Sequence, residues 1–175
     1  MVLCALCALL SCDNGEGREK NASAGKVYQR TPEKVDADFV AMANDVLNTE
    51  IAAGKMAMKK GSDKRIKNLG RIMAKDFTKG HVKLKSLAAA KTIPLEGNLS
   101  PPMRDSLAVL DQYTGKDFDE AYIAYVKVSH QKAINLCQEA RNKLYDKDIK
   151  SIAARGLLVF QRHLETVNGL YADNK

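Results

Sequence analysis

This 175-residue chain is poor in several residue types, and each shortage narrows what the protein can be. It has no tryptophan, three histidines and four cysteines, and the first twelve residues hold three of those cysteines. Only Cys137 remains in the body of the chain, so no internal disulfide can form there, and its apolar neighbours predict a small buried side chain rather than a nucleophile. The sequence contains no glycine-rich phosphate loop and no nucleophile elbow. Phosphate-binding and nucleophilic chemistry therefore find no support.

The N-terminal residues form a short apolar segment. The run from Val2 to Leu10 is shorter than the roughly 20 residues that cross a bilayer, and it suits the hydrophobic part of a secretory signal. Leu9-Leu10-Ser11-Cys12 resembles a bacterial lipobox, which implies a lipoprotein signal peptide at 1–11 and a lipid on Cys12. No basic residue precedes the apolar run, which leaves a cytoplasmic helical protein as the alternative.

A polar, glycine-rich stretch follows Cys12. It holds too few apolar residues to bury a core, so residues 12–35 are predicted to be a flexible tether. Residues 36–175 are about one domain's worth of chain. The predicted location is the bacterial cell envelope, lipid-anchored and facing the periplasm, with either the inner or the outer membrane holding the lipid.

Apolar residues recur at helical spacing through the body, and they predict four long helices and one short one. All four prolines lie outside the long periodic stretches. Ser62 is the predicted cap of the second helix, and Ser100 followed by proline suits the start of the short one. The predicted helices cover about 36–60, 62–91, 100–115, 117–145 and 148–172. Short turns after the first and fourth indicate two antiparallel hairpins, which a long connection joins into an all-α four-helix bundle.

Five titratable residues fall on or beside the predicted apolar faces. They are Glu50, Asp76, His81, His130 and His163. A helix rise of about 1.5 Å per residue places them near the middle of the bundle, where carboxylates and imidazoles suit a divalent metal such as iron, manganese or zinc. The alternative, which we favour, is a structural polar network without a cofactor, with Tyr122, Tyr125 and Ser129 as available partners.

Several segments of the body resemble the bacterial domain-of-unknown-function 4142 family. They are Phe39-Val40, Glu50–Lys55, Asp76–Lys79, Gly115–Tyr122, His130 and His163-Leu164. The resemblance implies an exported, often lipid-anchored protein with a ferritin-like bundle. Of the five titratable residues, four match positions of the family pattern: Glu50, Asp76, His130 and His163. The family pattern has a histidine at Phe77, an aspartate at Ser129 and a proline at Leu158. His81, one turn beyond Phe77, is the candidate replacement for the missing histidine.

Basic residues dominate the charge of the chain, which is formally +7. Five of them recur every four residues on the second predicted helix and form what we call the basic ridge: Lys67, Arg71, Lys75, Lys79 and Lys83. Such a ridge suits anionic lipid headgroups or acidic envelope polymers, although a merely solvated face is equally typical of the pattern. Nucleic acid is not an expected partner, because the ridge lacks interleaved aromatic residues.

These patterns together predict an uncharacterised, lipid-anchored envelope protein that acts as a non-enzymatic binding or structural module. The alternative is a ferritin-like metal-binding or redox protein with a core glutamate and histidine site.

Overall fold

The structure, a computed structural model, describes residues 31–172, with side chains through residue 170. Its helices are α1 (Pro32–Lys60), α2 (Lys64–Ala90), α3 (Pro101–Asp111), α4 (Gly115–Lys143) and α5 (Lys147–Ala172). The predicted all-α bundle of four long helices and one short helix is confirmed. Within residues 31–172, the only β contact is an isolated bridge between Gly61 and Gly115. The predicted signal peptide, Cys12 and the tether up to residue 30 lie outside the described residues.

Two predicted helix starts were wrong. α1 begins at Pro32, because the Thr31 hydroxyl accepts a hydrogen bond from the Lys34 N–H and proline suits the first helical position. Residues 32–35 are therefore helix and not tether. α2 is capped by Asp63 rather than Ser62, since the Asp63 carboxylate accepts the Arg65 N–H at 2.7 Å.

The α1–α2 and α4–α5 pairs form the two predicted hairpins. Both pairs are antiparallel, because residue numbers rise on one helix as they fall on its partner. Between α1 and α2, Asn44 contacts His81 and Gly54 contacts Gly70; between α4 and α5, His130 lies beside His163 and Cys137 beside Gly156. The α1 and α2 backbones approach closely at the two glycines, where a Cβ added to Gly70 would lie 2.6 Å from the Gly54 carbonyl oxygen. Among the long helices, α1 also lies beside α4 and α2 beside α5, and the short α3 packs against α1 and α4.

Two buried carboxylates tie α1 to α4 at opposite ends of the bundle. Asp36, near the start of α1, accepts the backbone N–H groups of residues 145 and 146 at 2.9 Å each. Asp119, near the start of α4, accepts the N–H groups of Ser62 at 2.9 Å and Asp63 at 2.8 Å. These ties make α1 and α4 antiparallel, so α2 and α4 run in the same direction and the connection through α3 returns along the bundle.

The interior of the bundle is filled by large apolar and aromatic side chains. Phe77, Phe118, Tyr122 and Phe160 are each at most 5% exposed. None of the helices within residues 31–172 is long and apolar enough to cross a membrane.

Candidate functional site

Glu50 on α1 meets three residues of α4 inside the bundle. Its carboxylate is 2% exposed and accepts the Tyr125 hydroxyl at 3.4 Å. Glu50 Oε1 lies 3.8 Å from His130 Nδ1, and the Ser129 hydroxyl lies 3.3 Å from the same nitrogen. Two of the three predicted partners are thus in place. The third, Tyr122, donates instead to the Met73 sulfur at 3.3 Å.

Burial determines the protonation of this first pair. Loss of solvation raises the pKa of Glu50 to about 7, and the nearby Ser129 and Tyr125 hydroxyls offset only part of that rise. Burial also lowers the pKa of His130 to about 3, with a smaller contribution from His163. His130 is therefore a neutral imidazole at physiological pH, beside a carboxyl group that titrates close to neutrality.

A second carboxylate–imidazole pair joins α2 to α5. His163 Nε2 lies 3.1 Å from Asp76 Oδ2, and the Arg162 guanidinium lies 3.1 Å from the same oxygen. His163 is 2% exposed. Burial lowers its pKa, although hydrogen bonding to Asp76 acts in the opposite direction. The imidazole is thus neutral, and its Nε2–H donates to the carboxylate.

The two imidazoles lie side by side between phenylalanine rings. Their ring centroids are 5.7 Å apart, and Phe77 and Phe160 pack around them. His130 Nε2 and His163 Nδ1 are buried without a hydrogen-bond partner. Because His163 Nε2 donates to the Asp76 carboxylate, His163 Nδ1 carries the lone pair of that neutral imidazole.

The carboxylates and imidazoles thus form two pairs rather than one cluster. Within residues 31–172, no group of three or more histidine, cysteine, aspartate or glutamate side chains is arranged to hold a metal ion. His81 does not replace the histidine missing at Phe77. It pairs instead with Asn44, whose Oδ1 lies 2.9 Å from His81 Nε2.

Sequence reasoning missed four buried polar residues: Asp36, Asn44, Thr49 and Asp119. Asn44 links His81 to the chain before α3, because its amide donates to the Glu96 carbonyl at 3.0 Å. Asp119 carried a signal, since it follows Phe118 directly on a face that is otherwise apolar. Asp36 and Asn44 carried no such signal. An aspartate near a helix end and an asparagine within a helix are each found both buried and exposed.

The basic ridge lies where the sequence placed it. All five side chains are exposed, and within the described part of the chain none forms an ion pair. The face therefore carries uncompensated positive charge.

Fold and core define an all-α helical bundle with a buried carboxylate–imidazole interior. The chain belongs to the family described as Domain of unknown function (DUF4142), whose model matches residues 21–170. The family suggested by the sequence segments is confirmed.

Several solved structures have a similar fold at low sequence identity. A putative secreted DUF305 protein from Streptomyces coelicolor shares 12% identity with a TM-score of 0.69, covering 82% of this chain and 95% of its own. A DUF305 fragment from Deinococcus radiodurans shares 10% identity with a TM-score of 0.71, covering 79% and 96%. CopM in its Cu(I)-bound form shares 16% identity with a TM-score of 0.66, covering 83% and 98%. No curated protein matches the chain.

Proposed function

We propose that this protein is a non-enzymatic binding module, held at the bacterial cell envelope by a lipid on Cys12 and attached to an anionic surface through its basic ridge. The observation that carries the proposal is the exposed, uncompensated ridge on α2. The lipobox-like segment around Cys12 supports the anchor. The connectivity supports a ferritin-like bundle, in which two hairpins are joined by a crossover so that α2 and α4 are parallel.

The imidazoles fit a structural role better than a catalytic one. His130 is 0% exposed, and Phe77 and Phe160 pack against it. A general base has to come within hydrogen-bond distance of the proton that it removes, and the aromatic rings keep substrates away from this imidazole. Polar pairs buried in this way specify how the four long helices pack.

The ridge can supply substantial attraction to an anionic membrane. Each basic residue near such a surface contributes about 1 kcal/mol, so five of them act together. Attachment of this kind is weakened by salt, because exposed charges are screened over about 8 Å at physiological ionic strength.

Vesicle binding tests the ridge. The chain without its lipid should bind anionic vesicles and not neutral ones, and added salt should release it. Changing Lys67, Lys75 and Lys83 to glutamate should abolish binding. The matched control changes an equal number of exposed lysines on α4 and α5 to glutamate: Lys116, Lys127 and Lys147. Equal loss in both variants, or equal binding to neutral vesicles, would contradict a role for the ridge.

Cell fractionation tests the anchor. Membranes are first washed with salt, which releases protein held only through the basic ridge. Cys12→Ser should then appear in the soluble or unprocessed fraction, whereas Cys7→Ser, within the same apolar segment, should stay with the membrane. Salt-resistant membrane association that persists without Cys12 would refute the lipid.

A metal site is the second candidate function, and the two unpartnered imidazole nitrogens favour it. Histidines that bind metals usually donate their other ring N–H to a carboxylate. His163 with Asp76 has that arrangement, and His130 with Glu50 approximates it. Because the carboxylates lie beside the opposite nitrogens, the ions that fit are those that accept imidazole ligands, copper or zinc, rather than iron or manganese in a carboxylate-rich site. CopM, which has a similar fold, binds copper in two of its structures.

A cavity between α2 and α5 lies next to the imidazole pair. Its volume is about 380 Å³, and it reaches Asp76, Phe77 and Phe160. Because the Phe77 ring packs against both imidazoles and the Phe160 ring against His130, an ion entering there would have to displace these rings. His130 and His163 would hold it, and Glu50 and Asp76 would orient the two rings.

Metal titration separates the two candidates. If the imidazoles bind a metal, zinc or Cu(I) should bind near one per chain and raise the melting temperature by mass action. His130→Ala and His163→Ala should each remove that effect, whereas His81→Ala should not. An unchanged melting temperature and no bound metal would exclude the second candidate and leave the structural role.

A further inference from the structure

An open cavity separates α3 from the groove between α1 and α4. Its volume is about 760 Å³, which lies within the range of about 300–1,000 Å³ found for small-molecule sites. The Asp45 carboxylate helps to build it, because it accepts the Ser100 N–H at 3.0 Å and so fixes the start of α3 over α1. The cavity depends on the tertiary arrangement of three helices.

The lining of the cavity is mainly apolar. Its wall and mouth hold four of the eight large hydrophobic side chains that are exposed within the described residues: Met42, Val109, Tyr113 and Val128. They are between 43% and 56% exposed. Such a concentration of exposed apolar side chains around a concave opening is typical of a ligand site.

Glu50 supplies the polar feature of this wall. It lines the cavity with Tyr125 and Ser129, and it is 2% exposed. The Tyr125 hydroxyl donates to it at 3.4 Å, a weak contact for a buried carboxylate, and the Ser129 hydroxyl is its other neighbouring donor. The other charged groups of the lining are Asp45 and Lys132, and the lysine is exposed to solvent. Carboxylates therefore dominate the protected part of the cavity.

We propose that this cavity binds an apolar molecule that carries one protonated amine, with the amine against the Glu50 carboxylate and the hydrocarbon against α3 and α4. A buried carboxylate facing apolar surface is costly unless a cation or several donors compensate it. A charge-assisted hydrogen bond is also stronger than a neutral one. The ligand class therefore follows from the one carboxylate and its apolar surroundings, and it is independent of the lipid anchor and of the ridge.

Three probes with the same hydrocarbon chain test the proposal: octylamine, octanol and octanoate. Calorimetric titration of the purified chain should give octylamine the highest affinity, about ten- to a hundredfold above octanol. Octanoate should bind most weakly. If only long-range attraction to the net charge of +7 acted, the anion octanoate would bind more tightly than the cation octylamine. Octanoate binding as tightly as octylamine would therefore overturn the proposal.

Two variants separate the carboxylate from the cavity. Glu50→Gln keeps the shape of the side chain and should remove the preference for octylamine while leaving octanol binding unchanged. Ala124→Trp places a large ring into the cavity from α4 and should abolish binding of all three probes. Circular dichroism establishes that both variants are folded. A preference for octylamine that survives Glu50→Gln would refute the role of this residue.

Discussion

Changing Glu50 to glutamine should stabilise the protein at alkaline pH. Folding raises the pKa of this carboxyl from 4.5 to about 7, chiefly through burial. Below about pH 4.5 the group is protonated in both the folded and the unfolded chain. Between 4.5 and 7 the folded chain keeps the proton that the unfolded chain has lost, so the free energy of unfolding falls as the pH rises. Integrated over this window, the loss is about 3 kcal/mol.

Glutamine stays neutral throughout, so Glu50→Gln lacks this loss. The difference in unfolding free energy between variant and parent should grow by about 3 kcal/mol from pH 4.5 to 7 and then stay constant. The buried histidines act in the opposite direction, because the unfolded chain binds the protons that neutral His130 refuses below pH 6.5. Their contribution is present in both proteins and largely cancels in the difference.

Urea unfolding followed by far-ultraviolet circular dichroism at about pH 5, 6, 7 and 8 measures this difference. Glu120→Gln is the matched control, since it makes the same chemical change on the exposed face of α4. Its curve should run parallel to that of the parent. A difference between Glu50→Gln and the parent that does not change with pH would refute the assignment of Glu50 as a buried, uncompensated carboxyl.

Three further predictions concern packing, the imidazole pair and the helix ends. Gly70→Ala should destabilise the chain by about 1–3 kcal/mol in urea unfolding, because the added Cβ would lie 2.6 Å from the Gly54 carbonyl oxygen. A Cβ added at Gly169 would have no other atom within 4 Å, so Gly169→Ala should stabilise the chain by about 0.5–1 kcal/mol. The Phe77 ring centroid lies 5.6 Å from that of His130 and 5.2 Å from that of His163, so Phe77→His should place a third imidazole beside the other two. Zinc should then raise the melting temperature of this variant more than that of the parent. An equal rise in both would contradict the geometry. Asp119→Ala should cost about 1–3 kcal/mol, since two backbone N–H groups lose their acceptor, and a loss well below this range would show that water replaces the carboxylate.

The helices were predictable from the sequence because apolar residues at helical spacing can bury only one face. The starts of α1 and α2 were not. Thr31 and Ser62 are both polar residues ahead of an apolar pattern, and either type suits a cap. For α2, Asp119 makes the difference, because its carboxylate accepts the Ser62 N–H from α4. Asp119 lies far from Ser62 along the chain. Local sequence contains no information about that contact.

For the candidate site, too, the sequence predicted one feature and not another. Helix rise predicted that Glu50, Asp76, His130 and His163 lie at similar depth, and the structure gathers all four in the bundle interior. Their pairing depends on which helices are neighbours, since Glu50 can face His130 only because α1 packs beside α4. Depth along a helix does not specify that choice.

The sequence by itself determined the helical segments, the polar residues on their buried faces, the family and the line of positive charge along α2. Each of these depends on spacing along one helix or on local composition, so neighbouring residues suffice to define it. Tertiary structure alone decided the partners of Glu50 and His163, the neutral imidazoles and the cavity beneath α3. Burial, pKa shifts and cavity shape arise from atoms that distant parts of the chain bring together, and packing of the whole bundle is what brings them there.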